Sequence, residues 1–178
     1  MRRLWVFAMV FVFSATLVSC SRAGDVGPAG TEGHAESGAD TETIPAPDFR
    51  LDDLDGNEVV LSSYEGKSPV LMMFWSTWCV YCRIETPKLM QLRETYAPAE
   101  LEIFGVDIGE GAFKVSEYAR KMKLNYTILL DETSDVADAY GVRGVPTFFL
   151  VDREGNLVAM DHGITDRMKN LIREAVAG

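Results

Sequence analysis

The chain has 178 residues, 47% of them hydrophobic, and a formal net charge of −10. That is enough for one domain with a buried core plus appendages. The acidic balance argues against nucleic acid as a partner, because phosphate recognition needs a basic face, and three cysteines are too few for a disulfide-stapled scaffold.

The N-terminus reads as an address. Arg2 and Arg3 form a basic start, and residues 4–18 are apolar. At ~1.5 Å per residue this stretch spans roughly 22 Å, short of a ~30 Å hydrocarbon core. It therefore predicts a signal sequence over residues 1–19 rather than a permanent span. It ends in Leu17-Val-Ser-Cys20, which looks like a bacterial lipobox. Cleavage would fall before Cys20 and its thiol would be lipidated, giving a membrane anchor; the alternative is an ordinary signal peptide with an incidental cysteine. Removal takes away Arg2 and Arg3 and no acid, so the mature charge goes from −10 to −12. Residues 20–46 are poor in large apolar side chains and predict a flexible tether, with a root-mean-square reach of roughly 28 Å. His34 falls here and is expected to be solvated.

The domain is expected over residues 47–178. Residues 47–61 read as two short strands around Asp55-Gly56-Asn57. Residues 61–67 predict a brief helical turn. Residues 69–75 are apolar without alternation, as in a strand covered on both faces. A helix is expected from about Val80 to Tyr96, kinked by Pro87. Residues 101–107 read as a second buried strand. Residues 113–123 show helical spacing, with Phe113, Tyr118, Ala119 and Met122 as inward residues. A short strand over 126–130 follows, then a helix over 135–140 capped by Ser134. Residues 147–152 and 157–161 read as an antiparallel hairpin, and Thr165 or Asp166 caps a last helix. Alternating strands and helices predict an α/β sheet with helices on both faces.

The chemistry lies in Trp75-Ser-Thr-Trp-Cys-Val-Tyr-Cys82, at a strand-to-helix junction. A helix N-terminus carries partial positive charge and unpaired N–H groups. Both favour a thiolate at Cys79 and hence nucleophilic attack by it. Cys82, one turn on, can close a disulfide with it. A purely structural bridge is a competing reading, although so short a loop constrains the unfolded chain little. A zinc half-site is another, but Cys20, His34 and His162 lack the spacing to complete it.

Together with Gly144-Val-Pro-Thr147, some 65 residues beyond Cys79, and the closing hairpin and helix, this motif resembles the thioredoxin superfamily. Pro47-Asp-Phe, Phe74-Trp-Ser-Thr-Trp-Cys79 and Gly105-Val-Asp-Ile-Gly-Glu110 narrow the likeness to membrane-tethered TlpA/ResA-like thiol–disulfide oxidoreductases, over about residues 47–177. The resemblance implies a thioredoxin-like fold: a central mixed β-sheet with helices on both faces and an N-terminal β-hairpin extension. It makes Cys79 the nucleophile and Cys82 the resolving thiol. It implies a cis Pro146, with the Val145 backbone beside Cys79 to pair with an extended substrate. Trp78, with Trp75, would form an apolar collar; plain core packing is the alternative for both and the favoured one for Trp75. Met73 stands where thioredoxins have a buried Asp. Glu110 matches an acid near the site in the family and is expected to tune or accept the resolving proton. Glu85 is expected to support the first helical turns, and His162 to be an ordinary strand-end residue.

These likenesses imply an extracytoplasmic, lipid-anchored thiol–disulfide oxidoreductase that reduces disulfides in protein substrates. Apocytochrome c or metal-centre assembly proteins are the implied clients, and a thiol-reducing membrane protein the electron donor. The implied protein is monomeric, with no cofactor beyond its own disulfide and no metal. Three readings compete. A disulfide-donating oxidase differs only in potential. A peroxiredoxin-like peroxidase also opens with Pro-Asp-Phe, but Ser76 and Met72 occupy the positions of its Thr and Pro signature. A copper chaperone or redox sensor would use the cysteines as soft ligands.

Overall fold

The computed structural model describes residues 43–178; the expected signal sequence and most of the expected tether, with Cys20 and His34, lie outside them. Strand β3 (Val70–Trp75) is buried along its whole length. Its side chains alternate between two cores: Leu71, Met73 and Trp75 face one, and Val70, Met72 and Phe74 the other. A strand so placed needs apolar residues at every position, which explains its unbroken run.

The remaining strands are β1 (Arg50–Asp53), β2 (Glu58–Val60), β4 (Glu102–Ile108), β5 (Thr127–Asp131), β6 (Thr147–Val151) and β7 (Leu157–Asp161). They form one sheet in the order β2-β1-β5-β4-β3-β6-β7. Strands β3, β4 and β5 are parallel; β6 and β7 add antiparallel on one side, and β1 and β2 on the other. The helices are α1 (Val80–Thr95), α2 (Ala112–Met122), α3 (Asp135–Ala139) and α4 (Asp166–Ala177). The crossovers through α1 and α2 step the same way along the sheet, so both helices cover one face. With α4 they bury Cys82, Leu89, Val115, Ala119, Met168 and Ile172 there. Tyr140, after α3, packs on the other face with Phe49, Leu61, Phe74 and Phe149.

Several local expectations change. The chain makes contact three residues before position 47: the Leu157 N–H donates to the Ile44 carbonyl at 2.8 Å, and the Ala46 N–H to that of Gly155 at 2.9 Å. Helix α1 runs as one element over Val80–Thr95 with Pro87 inside it, as expected. On α2 the inward stripe is Val115 and Ala119, with Tyr118 packed beside them. Phe113 is 82% exposed, and Met122 also reaches solvent. Phe113 falls off the i, i+3, i+4, i+7 stripe that starts at Val115, whereas Met122 lies on it but at the last residue of the helix. Ser134 precedes α3 but makes no side-chain cap. The Asp131 carboxylate takes that part, accepting from the N–H groups of Val136 (3.3 Å) and Ala137 (2.8 Å). Thr165 caps α4, accepting from the Met168 N–H at 3.2 Å.

Gly105, in the middle of β4, is required by space. A Cβ there would lie 2.9 Å from both Ile128 and Tyr126 and 3.1 Å from the Trp75 indole nitrogen. All three are buried, so the neighbours have little room to give. Gly105→Ala is expected to lower stability by ~1–3 kcal/mol in denaturant titrations, as other overpacked cores do; an unchanged midpoint would contradict this packing.

Candidate active site

Strand β3 ends at Trp75, and four residues, Ser76 to Cys79, carry the chain from the end of the strand to α1. The Cys79 N–H donates back to the Ser76 carbonyl at 3.1 Å, closing that turn. Cys79 is the N-cap of α1, and its sulfur accepts the Cys82 N–H at 3.0 Å. One free donor of the helix N-terminus is thus spent on this sulfur. Cys79 and Cys82 form a disulfide, with Cα atoms 5.3 Å apart. Both are buried against the core beneath α1, at 3% and 1% exposure.

Pairing of β6 with β3 sets the other side of the site. Phe74 lies opposite Thr147, so the segment entering β6 arrives beside the Cys79 turn. The Val145–Pro146 peptide bond is cis. The Val145 carbonyl oxygen lies 3.5 Å from the Cys79 sulfur. The Thr147 hydroxyl donates to the Gly144 carbonyl at 2.6 Å. His162 holds the loop from behind, with Nδ1 3.1 Å from the Pro146 carbonyl and 3.3 Å from the Thr147 hydroxyl. A cleft of about 360 Å³ opens here between Tyr81, Ile84, Glu85, Val145, Pro146 and His162. Glu85 reaches across it: its carboxylate accepts the Ile164 N–H at 2.9 Å and Lys88 Nζ at 2.7 Å.

Glu110 holds the turn from the opposite side. Its carboxylate accepts the Thr77 N–H at 2.6 Å and the Thr77 hydroxyl at 2.9 Å, and it is ion-paired with Lys114. Burial by itself would raise its pKa. The Lys114 and Thr77 donors, with a smaller contribution from Asp107, outweigh that and hold it below the usual carboxylate range. Asp107 lies next to it on β4, wholly buried. Neither of its oxygens has a hydrogen-bond donor among the described residues. Burial, then the Glu110 charge, pushes its pKa up to about 8.

Residues 43–160 match the AhpC/TSA family. The chain belongs to this family. Within it, the chain is 35% identical over 123 residues to the thiol-disulfide oxidoreductase ResA of Bacillus subtilis, covering 69% of this chain and 68% of that one. The ResA of Geobacillus thermodenitrificans is 40% identical over 112 residues, 63% of this chain; the match spans 64% of that relative's length. Among solved structures, a thiol:disulfide interchange protein DsbE from Chlorobium tepidum superposes with a TM-score of 0.66 at 28% identity, over 76% of this chain and 94% of that one. The thioredoxin domain of a thiol-disulfide oxidoreductase from Bacteroides vulgatus gives 0.67 at 31% identity, over 75% and 96%. The thioredoxin-like fold is therefore shown by whole-domain superposition.

Against this family background, the structure brings Cys79, Cys82, Val145, Pro146 and, through Thr77, Glu110 into one site. Trp78 is 64% exposed beside the disulfide, with Val80, Tyr81 and Ile84 also exposed. Trp75 is not part of that apolar collar. It is buried against Tyr118, with ring centroids 5.4 Å apart. His162 is more than a strand-end residue, since it braces the cis-proline loop. Glu85 spans from α1 to the segment before α4 rather than supporting its own helix alone. Asp107, inside the Gly105–Glu110 motif, carries no spacing signal of its own as an acid within an apolar strand; only its burial singles it out. Among the described residues no cluster of three or more His, Cys, Asp or Glu could hold a metal ion, and no helix is long and apolar enough to cross a membrane.

Asp107 gives a pH test of this geometry. With its pKa raised from 3.8 to about 8, the folded state keeps a proton that the unfolded state loses between those values. Stability therefore falls as pH rises through that window and is level above it. Asp107→Asn removes this contribution. The stability of D107N relative to the parent, from urea titrations, is expected to grow between pH 4 and pH 8. A pH-independent difference would contradict the assignment.

Proposed function

We propose that this protein is an extracytoplasmic thiol–disulfide oxidoreductase that reduces disulfides in protein substrates. The observation that carries the reading is a Cys79–Cys82 disulfide at the N-terminus of α1, with the Cys79 sulfur beside the carbonyl presented by the cis-proline loop. The ResA relatives support the same chemistry by name. In the reduced protein, the helix N-terminus and the Cys82 N–H favour a thiolate at Cys79. That thiolate attacks one sulfur of the substrate disulfide, forming a mixed disulfide and releasing the other sulfur as a thiolate. Cys82, once deprotonated, attacks the Cys79 sulfur. The mixed disulfide breaks, the substrate leaves with two thiols, and the pair ends as the disulfide seen here. An extended substrate segment would lie along the Val145 backbone, with Trp78 and Tyr81 shielding the sulfurs. Backbone pairing of this kind tolerates many sequences.

Glu110 fits the tuning part of its expected role. Already holding two donors from Thr77 and the Lys114 ammonium, and kept ionised by them, it is a poor acceptor for the resolving proton.

The setting belongs to the same reading. Cys20 anchors the mature chain to the outer side of a bacterial membrane through its lipid, and the residues between Cys20 and Ile44 tether a monomeric domain. A thiol-reducing membrane donor returns the pair to the dithiol. Cysteine pairs awaiting haem in apocytochrome c, or awaiting a metal in an assembly protein, are the substrate class. No group beyond the cysteine pair is needed for these steps. A peroxidase is disfavoured because the nucleophile is followed one helical turn later by its own resolving cysteine.

Trapping separates the two cysteine roles. Cys82→Ser is expected to accumulate a mixed disulfide with a model disulfide substrate, seen as a reducible mass increment. Cys79→Ser is expected to give none and to lose all turnover. Equal trapping by both variants would overturn the assignment of nucleophile.

A further inference from the structure

We propose that Asp107 and Glu110 form a carboxyl pair carrying a single negative charge, and that Asp107 thereby acts as a positioning residue for the Cys79 turn. The inference rests on the thiol–disulfide reading of that turn. Asp107 is the penultimate residue of β4, in register with Trp75 of β3 and Leu130 of β5. It has no exposed surface, and neither oxygen meets a donor among the described residues. An ionised carboxylate left in that state is strongly disfavoured. A protonated one has an O–H to give, and the adjacent acceptor is Glu110. Glu110 in turn holds Thr77 by its N–H and hydroxyl, two residues before the nucleophile.

The charged groups around Asp107 are few. Strand β3 offers Met73 and Trp75, and β5 offers Leu130, none of which titrates. Helix α2 supplies Lys114, paired to Glu110, and Tyr118, packed on Trp75. Tyr126, just before β5, and Cys79 and Cys82 on α1 share the same core. With one proton on the pair, Asp107, Glu110 and Lys114 sum to zero. When Asp107 loses it, a second buried anion faces Glu110. Repulsion then weakens the grip on Thr77 and opposes a thiolate at Cys79.

The test compares the reduced full chain with its D107N and D107S variants. Two quantities are read from pH 5 to pH 10: the rate of Cys79 alkylation by iodoacetamide and the turnover of a model protein disulfide. The parent is expected to show, besides the thiol titration, a second inflexion near pH 8, and to react severalfold more slowly above it than a single titration predicts. Both variants should lose that inflexion and keep the alkaline rate. Carboxyl carbon NMR of the parent should place the same inflexion on Asp107. If D107N and D107S keep the parent's profile, or if Asp107 titrates below pH 5, the proposal is overturned. If none of the three turns over the disulfide while the alkylation profiles still differ, the carboxyl pair stands and the reductase reading falls.

Discussion

The antiparallel pairing of β6 with β3 is the constraint on which the site depends. Five residues of β3 are matched to five of β6, from Val70 opposite Val151 to Phe74 opposite Thr147. One strand leads out of the core into the Cys79 turn; the other is entered from the cis-proline loop. Their register therefore fixes the 3.5 Å approach of the Val145 carbonyl to the Cys79 sulfur. A slip of one residue would send every side chain of β3 to the wrong core and move the sulfur away from the loop. The full burial of β3 on both faces makes that slip costly. Stability and catalytic geometry thus draw on the same contacts.

Around this axis the site is braced from three directions by groups distant in sequence. His162 reaches back from the end of β7 to the proline loop. Glu85 joins α1 to the backbone before α4, 79 residues on. Glu110 holds Thr77 across 33 residues. Each brace is a buried or half-buried polar contact in a low-dielectric setting, where a satisfied hydrogen bond rigidifies and an unsatisfied one is expensive. The disulfide is consequently held by a frame that does not itself change covalently when the disulfide opens. Trp78, Val80, Tyr81 and Ile84 leave an apolar rim around buried sulfurs. Such a rim suits a partner chain that brings its own backbone to the Val145 edge.

Much of this was legible in the sequence, for identifiable reasons. The continuous apolar run over 70–75 demanded a doubly covered strand. The two cysteines three residues apart at its end had to meet on the first turn of a helix. The Asp55-Gly56-Asn57 turn and the Arg153–Asn156 turn marked both hairpins, and Gly56 does adopt a positive φ of 80°. What periodicity could not reveal were choices made by tertiary contact. Phe113 has core chemistry but lies exposed at the start of α2, so counting it inward was wrong while Tyr118 and Ala119 do pack on the core. Ser134 had the chemistry of a cap, yet the cap came from Asp131 on the preceding strand. His162 braces the proline loop only because folding brings it to Pro146, 16 positions away, and Asp107 is singled out only by its complete burial. No local pattern encodes a burial.

The most direct test of the account is the reduction potential of the Cys79–Cys82 pair, measured by equilibrating the chain against defined thiol buffers. A reductase in an oxidising compartment needs a pair whose disulfide form is the stable product. The account predicts a value at or below the about −270 mV of thioredoxin. A value near the about −120 mV of a strong periplasmic oxidant would contradict it and make the protein a disulfide donor.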